Sequence, residues 1–415
     1  MQNNVATELR PHSRPALSRI VHVAVARRLF ELALHRMRGV HLRVVLPDQR
    51  VIEVGPRHLS GPTMRIVSDD FFLRLATAGK LAFGEAYTAR DWQTDALPEV
   101  LSAFASNLDR IVPFGLRRIR TLIEDRMKRP NTLRGADENI ARHYDLSNEF
   151  FALFLDPSMT YSSAVFAPGD TLEQAQRRKY GVVADLAGVT ANDHVLEIGS
   201  GWGGMAIFLA QRYGCTVTTT TLSREQHDLA VERIAAAGLA DHITVLRQDY
   251  RTVAGTYSKI VSIEMFEAVG EEYWSEFFAT CDRLLEPGGA MAMQTITMPD
   301  GGMREARRTE SWIQKHIFPG GALPSHEALD TVLRRSSSLR VTAAREVGPD
   351  YVTTLQMWRM RFRDRLDDVR ALGFDETFIR TWDYYLSFCE AGFATGLTGD
   401  AQLRLERSAQ GGAAR

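Results

Sequence analysis

The fold is decided by the stretch HVLEIGSGWGG at residues 194–204, in which a short apolar run passes directly into a glycine-rich turn. The run at 194–199 has the length and composition of a buried strand, and GGMAIFLAQRYG at 203–214 has the apolar spacing of a helix. Glycines at such a turn allow the backbone to approach a ligand closely. The sequence therefore predicts a strand, a ligand-binding turn and a helix, in that order.

Helices and strands alternate on both sides of this stretch. The apolar patterns indicate helices at 173–188, 223–238 and 272–289, and strands at 215–222, 242–249 and 290–298, with KIVSIEMFEAVG at 259–270 among them. Strands that alternate with helices of ten to fifteen residues predict an α/β fold with a mostly parallel sheet and helices on both faces. In such folds the ligand lies beyond the carboxyl ends of the strands.

The length and a change in composition predict two domains. The chain has 415 residues, and the apolar periodicity stops around KRPNTLRGADEN at 128–139. We expect a smaller α+β domain over 1–130 and the α/β domain over 131–405. Within the first domain, VHLRVVLP and RVIEVGP are typical of two strands joined at Asp48.

The amino-terminal segment is basic, with nine arginines and three acidic residues among the first fifty. SRIVHVAVARRLFELALHRM at 18–37 predicts an amphipathic helix with Val21, Val25, Leu29 and Leu32 at helical spacing, although Arg28 interrupts the stripe. Two interpretations stay open. The helix packs on its own domain, or it contacts a membrane surface, where arginines meet phosphates and the stripe meets acyl chains.

Overall composition excludes several classes of protein. The net charge of −1 gives no global field for nucleic acid, so we expect no nucleic-acid partner. The three cysteines are widely spaced, so the sequence predicts no disulfide framework. The eleven histidines show no ligand-like spacing to Cys or acidic residues, so it predicts no metal site. No apolar run approaches the ~18 to 20 residues of a membrane span, and the start lacks a signal-peptide core. We expect a cytoplasmic protein, soluble or peripheral at the inner face of the membrane.

The glycine turn could serve three purposes: binding S-adenosylmethionine, binding a dinucleotide, or a structural turn. Glu197 stands two positions before Gly199, where a carboxylate can bind the ammonium of an amino acid, and no basic residue follows to clamp a phosphate. The second strand ends in Thr221-Leu222-Ser223, without the acidic residue expected for a dinucleotide ribose. S-adenosylmethionine is the favoured ligand.

The run from Glu138 to Ser325 resembles the cyclopropane-fatty-acyl-phospholipid synthases and the related mycolic-acid and methylene-fatty-acid methyltransferases. The resemblance rests on the order and spacing of HYDLSNEFFALFLDPSMTYSSAVF, VLEIGSGWGG, LSREQ, QDYR, EMFEAVG, WIQKHIFPGG and LPS, and extends over about residues 1 to 400. It implies a Rossmann-like S-adenosylmethionine-dependent methyltransferase domain with a lipid-docking amino-terminal domain. It further implies methyl transfer to the cis double bond of a phospholipid acyl chain, through a carbocation that loses a proton to a bound bicarbonate.

The resemblance also implies roles for individual residues. Cofactor contacts are expected from Tyr161, Ser162, Glu197, Gly199, Gly201, Thr221, Leu222, Gln226, Asp249 and Tyr250. Glu267 matches the acidic residue that accepts a hydrogen bond from the bicarbonate, and Tyr351 matches the tyrosine that donates to it. The backbone at Ile296 matches a further contact.

The sequence departs from the synthase pattern at three positions. Ser163, Ala268 and Gln294 stand where synthases usually have Cys, His and His. A serine hydroxyl and a glutamine amide can still donate to an anion, so Ser163 and Gln294 are expected to complete the bicarbonate site. Neither side chain titrates. The loss of a histidine that could carry a positive charge affects ring closure more than methyl transfer, because methyl transfer needs only the alignment of the double bond with the methyl donor.

The sequence leaves the product open. We expect a cyclopropane fatty acid first. The alternative is a 10-methylene fatty acid, formed after a 1,2-hydride shift and saturated by a separate reductase, which EMFEAVG and the run Gln-Thr-Ile-Thr-Met-Pro from Gln294 favour. Two other classes also stay open: a methyltransferase for a soluble small molecule and an inactive lipid-binding homologue. The resemblance to full-length synthases, which are often dimers, further implies a homodimer.

Overall fold

The computed structural model describes residues 16–56, 61–111, 146–307 and 309–408. These fall into two compact units. The first comprises the described residues up to Ala96 together with those from Asn107 to Ile111, and the second comprises Leu97–Ser106 and the described residues from 146 onward. The domain boundary predicted at 130 lies outside the described residues and stays a prediction.

The first unit is a small α+β unit. Its elements are α1 (Ala16–Arg36), β1 (Leu42–Val45), β2 (Val51–Val54), β3 (Thr63–Ile66), α2 (Asp70–Thr88), β4 (Trp92–Gln93) and a single turn at Leu108–Ile111. The strands form one sheet in the order β2-β1-β3-β4. β1 and β2 are antiparallel, with Val44 opposite Ile52, so the predicted strand pair is confirmed.

Helix α1 has apolar residues on two faces. The stripe predicted from the sequence is the exposed face, and the other face is packed. Phe30 packs edge-on against Phe71 at a centroid distance of 5.1 Å, and Leu34 is fully buried. Val25 and Leu29, from the predicted stripe, are each 57% exposed. The interpretation in which the helix packs on its own domain is therefore confirmed, although a face other than the predicted stripe makes the contact.

The second unit contains a seven-stranded sheet. Its elements are α3 (Leu97–Ala105), α4 (Asn148–Ala152), α5 (Leu172–Ala187), β5 (His194–Ile198), α6 (Gly204–Tyr213), β6 (Thr216–Thr221), α7 (Arg224–Ala236), β7 (Ile243–Arg247), β8 (Tyr257–Ile263), α8 (Trp274–Leu284), β9 (Leu285–Thr297), α9 (Asp300–Ala306), α10 (Trp312–His316), α11 (His326–Ser336), β10 (Leu339–Glu346), α12 (Gly348–Asp364), α13 (Leu366–Ala371), α14 (Glu376–Ala394) and β11 (Gly399–Arg407).

The strand order is β10-β11-β9-β8-β5-β6-β7. The five strands from β9 to β7 are parallel, which confirms the predicted mostly parallel α/β sheet. The sequence did not predict the two strands at the other edge, where β11 runs antiparallel to both β9 and β10. Because β11 is antiparallel, its amino-terminal end lies at the same edge of the sheet as the carboxyl end of β9, with Asp400 opposite Ile296.

Helices cover both faces of the sheet, as predicted. Successive residues of a strand point to opposite faces. In β5, Val195 joins a core with α5 and α6, whereas Leu196 joins a core that contains Phe277 of α8. Helix α5 starts at a capping box, in which Thr171 and Gln174 bond each other's backbone N–H groups. Among the helices in the described ranges, none combines the length and the apolar character that a membrane span requires.

Candidate functional site

A cleft lies at the carboxyl ends of the parallel strands. It encloses about 1170 Å³, part of which is continuous with solvent. All ten residues predicted to contact the cofactor line it: Tyr161, Ser162, Glu197, Gly199, Gly201, Thr221, Leu222, Gln226, Asp249 and Tyr250. The structure thus brings together residues from four separate segments of the chain, and their contacts with a cofactor remain a prediction.

The turn after β5 takes a backbone conformation that glycine permits. Gly199 and Gly201 have φ values of +96° and +48°, in the region where a Cβ atom causes strain. A Cβ atom on Gly199 would also lie 2.9 Å from Cγ of Met265, another residue that lines the cleft. The glycines therefore permit the turn and, at Gly199, the close approach of the Met265 side chain.

Glu197 is a buried carboxyl at the wall of the cleft. The Thr219 hydroxyl of the neighbouring strand β6 donates to its Oε2 at 2.6 Å. Burial raises the pKa of Glu197 to about 8, against the opposing effects of that hydrogen bond and the charge of Lys179. A carboxyl so short of donors in the protein favours a cationic ligand, because a nearby positive charge stabilises its ionised form.

The ends of β6 and β7 contribute polar groups. Thr221 donates from its hydroxyl to Oε1 of Gln226 at 2.9 Å, which fixes both side chains at the cleft. Asp249 pairs with Arg251 through two hydrogen bonds of 2.8 and 2.7 Å. The hydroxyl of Tyr250 is buried and has no hydrogen-bond partner within the described parts of the chain.

The loop between α4 and α5 also lines the cleft. The Tyr161 ring stacks on Trp358 at a centroid distance of 5.3 Å, and its hydroxyl lies 2.7 Å from that of Tyr385. The next residue, Ser162, accepts a hydrogen bond of 2.6 Å from Nζ of Lys179, a fully buried lysine on α5. Burial lowers the pKa of Lys179 to about 8, against the charges of Glu264 and Asp400.

Three of the residues predicted to be catalytic surround a carboxylate that the sequence analysis missed. Glu264 follows β8 directly and also lines the cleft. Its Oε1 accepts from the backbone N–H of Ser163 and from Nε2 of Gln294, each at 2.8 Å. Its Oε2 accepts from the hydroxyl of Tyr351 at 2.7 Å. These are donors that the resemblance had assigned to a bicarbonate.

The other two predicted residues bond to each other. Glu267 accepts hydrogen bonds at Oε1 from the backbone N–H of Ile296 and from the hydroxyl of Thr295. Its Oε2 is buried without a partner among the described residues. Burial, together with the charge of Glu264, raises the pKa of Glu267 to about 8. The N–H of Ile296, expected to donate to a bicarbonate, therefore donates to a side chain of the protein.

Two details of the predicted anion site need correction. The Ser163 hydroxyl, expected to replace a cysteine as an anion ligand, donates instead to the carbonyl of Ala164 at 3.1 Å, and the backbone N–H of Ser163 is the donor that reaches a carboxylate. The Gln294 amide does donate to an anion, as expected, but that anion is the Glu264 carboxylate, and the amide also donates to Oδ2 of Asp400 at 2.9 Å. Gln402 in turn donates to Oε1 of Gln294 at 2.9 Å.

One sequence signal could have identified Glu264. An acidic residue directly after a parallel strand lies at the edge where ligands bind. Glu264 has this position in EMFEAVG, but the motif match directed attention to Glu267. Lys179 and Asp400 carry no such signal, because one lies in a helix among other basic residues and the other in the unpredicted strand β11.

Comparisons with known proteins agree with this geometry. A family model described as mycolic acid cyclopropane synthetase matches residues 131–403. The chain is 42% identical over 384 residues to the tuberculostearic acid methyltransferase of Mycobacterium tuberculosis, covering 90% of this chain and 88% of the relative. It is 34% identical over 333 residues to the cyclopropane-fatty-acyl-phospholipid synthase of Escherichia coli, covering 80% and 84%.

A solved structure extends the likeness to the fold. The mycolic acid cyclopropane synthase CmaA1, complexed with SAH (S-adenosylhomocysteine) and CTAB, matches with a TM-score of 0.61 and 28% identity. The match covers 68% of this chain and 100% of that chain.

The buried carboxyls predict how stability depends on pH. Glu267 is protonated in the folded protein up to about pH 8 but ionises near 4.5 when unfolded, so the unfolded state binds fewer protons between these values. The free energy of unfolding should therefore fall as pH rises through this window. Replacing Glu267 by Gln should make that slope shallower by about 1.4 kcal/mol per pH unit.

Urea denaturation of the cofactor-free protein between about pH 5.5 and 7.5 measures this slope. The matched control is Glu232→Gln, the same chemical change at an exposed carboxyl of α7. It should keep the wild-type slope. Identical slopes for Glu267→Gln and wild type would contradict the assignment of a protonated Glu267.

Proposed function

The chain belongs to the mycolic acid cyclopropane synthetase family, and from that premise we propose that it methylates the cis double bond of unsaturated phospholipid acyl chains. It is an S-adenosylmethionine-dependent methyltransferase that acts on lipid acyl chains. The observation that carries the proposal is the cleft at the carboxyl ends of the strands, where the ten predicted cofactor residues lie together with Glu264. A dinucleotide site and an inactive homologue have no comparable support.

The residues of the cleft suit S-adenosylmethionine. We assign the amino-acid end of the cofactor to Glu197, whose carboxylate can pair with its ammonium. The adenosyl end is assigned to Asp249 and Tyr250 after β7, since the buried Tyr250 hydroxyl has no partner in the described chain. When bound, the cofactor supplies a methyl group that its positive sulfur makes electrophilic.

The wall around Glu264 suits a cationic intermediate on the acyl chain. The electron pair of the double bond forms the new carbon–carbon bond to the methyl group, which leaves a positive charge on the neighbouring carbon. Tyr161, which lines the cleft, stacks on Trp358, and Tyr351, which donates to Glu264, stacks on Phe393 at 4.4 Å, so aromatic side chains adjoin the carboxylate. Aromatic faces attract cations, and their apolar bulk keeps away water that would trap one.

A methylene fatty acid is the product that we propose. The sequence analysis put cyclopropane first, but the chain is more similar to the tuberculostearic acid methyltransferase, at 42% identity, than to the cyclopropane synthase, at 34%. In this outcome a hydride moves from the methylated carbon to its neighbour, and a proton then leaves the new methyl group. A separate reductase would saturate the product. Cyclopropane, supported by the second relative, is the second candidate.

We propose that the exposed face of α1 docks the protein on the membrane. Five large apolar side chains lie on this face, namely Ile20, Val21, Val25, Leu29 and Leu32. Arg28 and Arg36 are exposed on the same helix, where they can meet lipid phosphates. An apolar stripe with arginines is typical of helices that lie in a membrane interface. The proposal makes the enzyme peripheral and cytoplasmic.

The substrate assignment can be tested with methyl-labelled S-adenosylmethionine and dioleoyl phospholipid vesicles. We expect label in the acyl chain, with exocyclic methylene protons in the NMR spectrum of the purified product. Distearoyl vesicles, which lack a double bond, should take up no label. Ring protons would select the cyclopropane candidate. Label recovered only in water-soluble compounds would contradict a lipid substrate.

The docking proposal predicts the effect of charge on the exposed face of α1. Replacing Val25 and Leu29 by Asp should weaken binding to anionic phospholipid vesicles at least about tenfold, since each buried side chain contributes roughly 1.5 to 3 kcal/mol. Co-sedimentation with vesicles measures the change, and circular dichroism verifies the fold. The control Val231→Asp adds charge at an exposed valine of α7 and should bind normally. Equal sedimentation of all three proteins would exclude this helix as the docking surface.

A further inference from the structure

Glu264 occupies the donor site that the family resemblance reserves for an external anion. Its two carboxylate oxygens accept from a backbone N–H, an amide and a phenol, all within 2.8 Å. The donors belong to three parts of the chain: Ser163 in the loop before α5, Gln294 in β9 and Tyr351 in α12. A carboxylate with three short charge-assisted hydrogen bonds is held in one orientation.

The backbone conformation at Glu264 independently indicates that the carboxylate is held in place for a function. Its φ value is +48°, in the left-handed region that residues with a side chain avoid. This conformation costs of the order of 1 kcal/mol relative to glycine and persists where the surroundings enforce it, often at functional sites. Glycine at this position would relieve the strain but remove the carboxylate. The chain therefore keeps a strained residue where only its side chain provides a benefit.

The surrounding charges favour an ionised Glu264 beside a protonated Asp400. Burial raises the pKa of Glu264, while Lys179 and the three hydrogen bonds oppose that rise. Asp400 accepts a hydrogen bond from only one of these donors, Gln294, and burial together with the charges of Glu264 and Glu267 raises its pKa well above the usual range, against the charge of Lys179. The proton of the pair thus resides on Asp400. A cationic ligand in the cleft would stabilise the Glu264 carboxylate further.

A bicarbonate does not fit this arrangement. The N–H of Ser163, the amide of Gln294 and the hydroxyl of Tyr351 already donate to Glu264, and the N–H of Ile296 donates to Glu267. A second anion would have to displace a covalently attached carboxylate from its donors. It would also stand next to that negative charge in a buried place, where repulsion is strong.

We propose that the carboxylate of Glu264 is the proton acceptor of the reaction and that this enzyme needs no bicarbonate. The inference rests on the proposed function, since it concerns the carbocation formed on the acyl chain. An oxygen of Glu264 takes a proton from the transferred methyl carbon. The electron pair of that C–H bond becomes the second bond of the methylene group, or the ring bond of a cyclopropane, and the positive charge on the chain is neutralised.

After this step Glu264 is a carboxylic acid, and the proton must return to water. Glu264 lines the cleft, which is open to solvent, so the proton can leave once the products have gone. Tyr351 and Gln294 are positioning residues in this scheme, because they orient the carboxylate and touch no reacting carbon. Glu267 has no part in this step, and its carboxyl accepts hydrogen bonds from the backbone N–H of Ile296 and the hydroxyl of Thr295.

The test compares wild type, Glu264→Gly and Glu264→Gln in the lipid assay, in buffer freed of carbon dioxide, with and without added bicarbonate or formate. Wild type should be insensitive to both anions. Glu264→Gly should lose about 100-fold or more in turnover, the usual contribution of a general base. Formate or bicarbonate should restore at least about tenfold, because either small anion can occupy the vacated donors.

Glu264→Gln is the matched control for this rescue. Its amide fills the donor site but accepts no proton, so we expect a similar loss of turnover without rescue. Both variants should retain S-adenosylhomocysteine affinity in calorimetry. Glu264→Gly should also fold normally, because its φ value suits glycine.

Several outcomes would overturn the proposal. The first is stimulation of the wild-type enzyme by bicarbonate. The second is a Glu264→Gly variant that is active without an added anion or that no anion rescues. The third is a hydroxylated acyl product, which would show that water adds to the carbocation and loses the proton, so that the methyl group keeps its own. In each of these cases wild type still labels the lipid. An absence of any wild-type lipid product overturns the proposed function, and this inference with it.

Discussion

The architecture of the site follows from the need to satisfy one carboxylate that is partly buried at the wall of the cleft. A carboxylate removed from water is stable only when donors and positive charge replace its hydration. Glu264 obtains these from four elements of the chain: the loop that carries Ser163, strand β9 through Gln294, helix α12 through Tyr351 and helix α5 through the charge of Lys179. These contacts join the four elements at one wall of the cleft. The interactions that stabilise this part of the fold are therefore the same ones that orient the carboxylate.

The cleft is acidic inside a protein of nearly neutral charge. Glu197 and Glu264 line it, Glu267 and Asp400 interact electrostatically with Glu264, and Lys179 is a buried counter-charge. A cationic cofactor is therefore attracted by the interior of the site, while the product cofactor, whose sulfur is neutral, is held less strongly. The distribution of charge thus favours both binding of the methyl donor and release after transfer, although the net charge of the chain is only −1.

Residues that form the cofactor cleft were predictable because their pattern is local. HVLEIGSGWGG predicts a strand and a turn by periodicity and glycine content, and the topology of parallel sheets then places Thr221 and Asp249 at the same edge. The role of Glu264 was not predictable in this way, since it depends on Tyr351, 87 positions away, and on the unpredicted strand β11 that brings Asp400 to the site. Similarly, α1 has apolar residues on two faces, and periodicity alone does not tell which one packs.

A crystal structure of the enzyme with S-adenosylhomocysteine, grown in the presence of bicarbonate, tests the central claim most directly. The account predicts that the Glu264 carboxylate keeps its hydrogen bonds from Ser163, Gln294 and Tyr351, and that no anion lies between Glu264 and the sulfur atom of S-adenosylhomocysteine. A bicarbonate seated on those three donors, with the Glu264 side chain turned away, would contradict it.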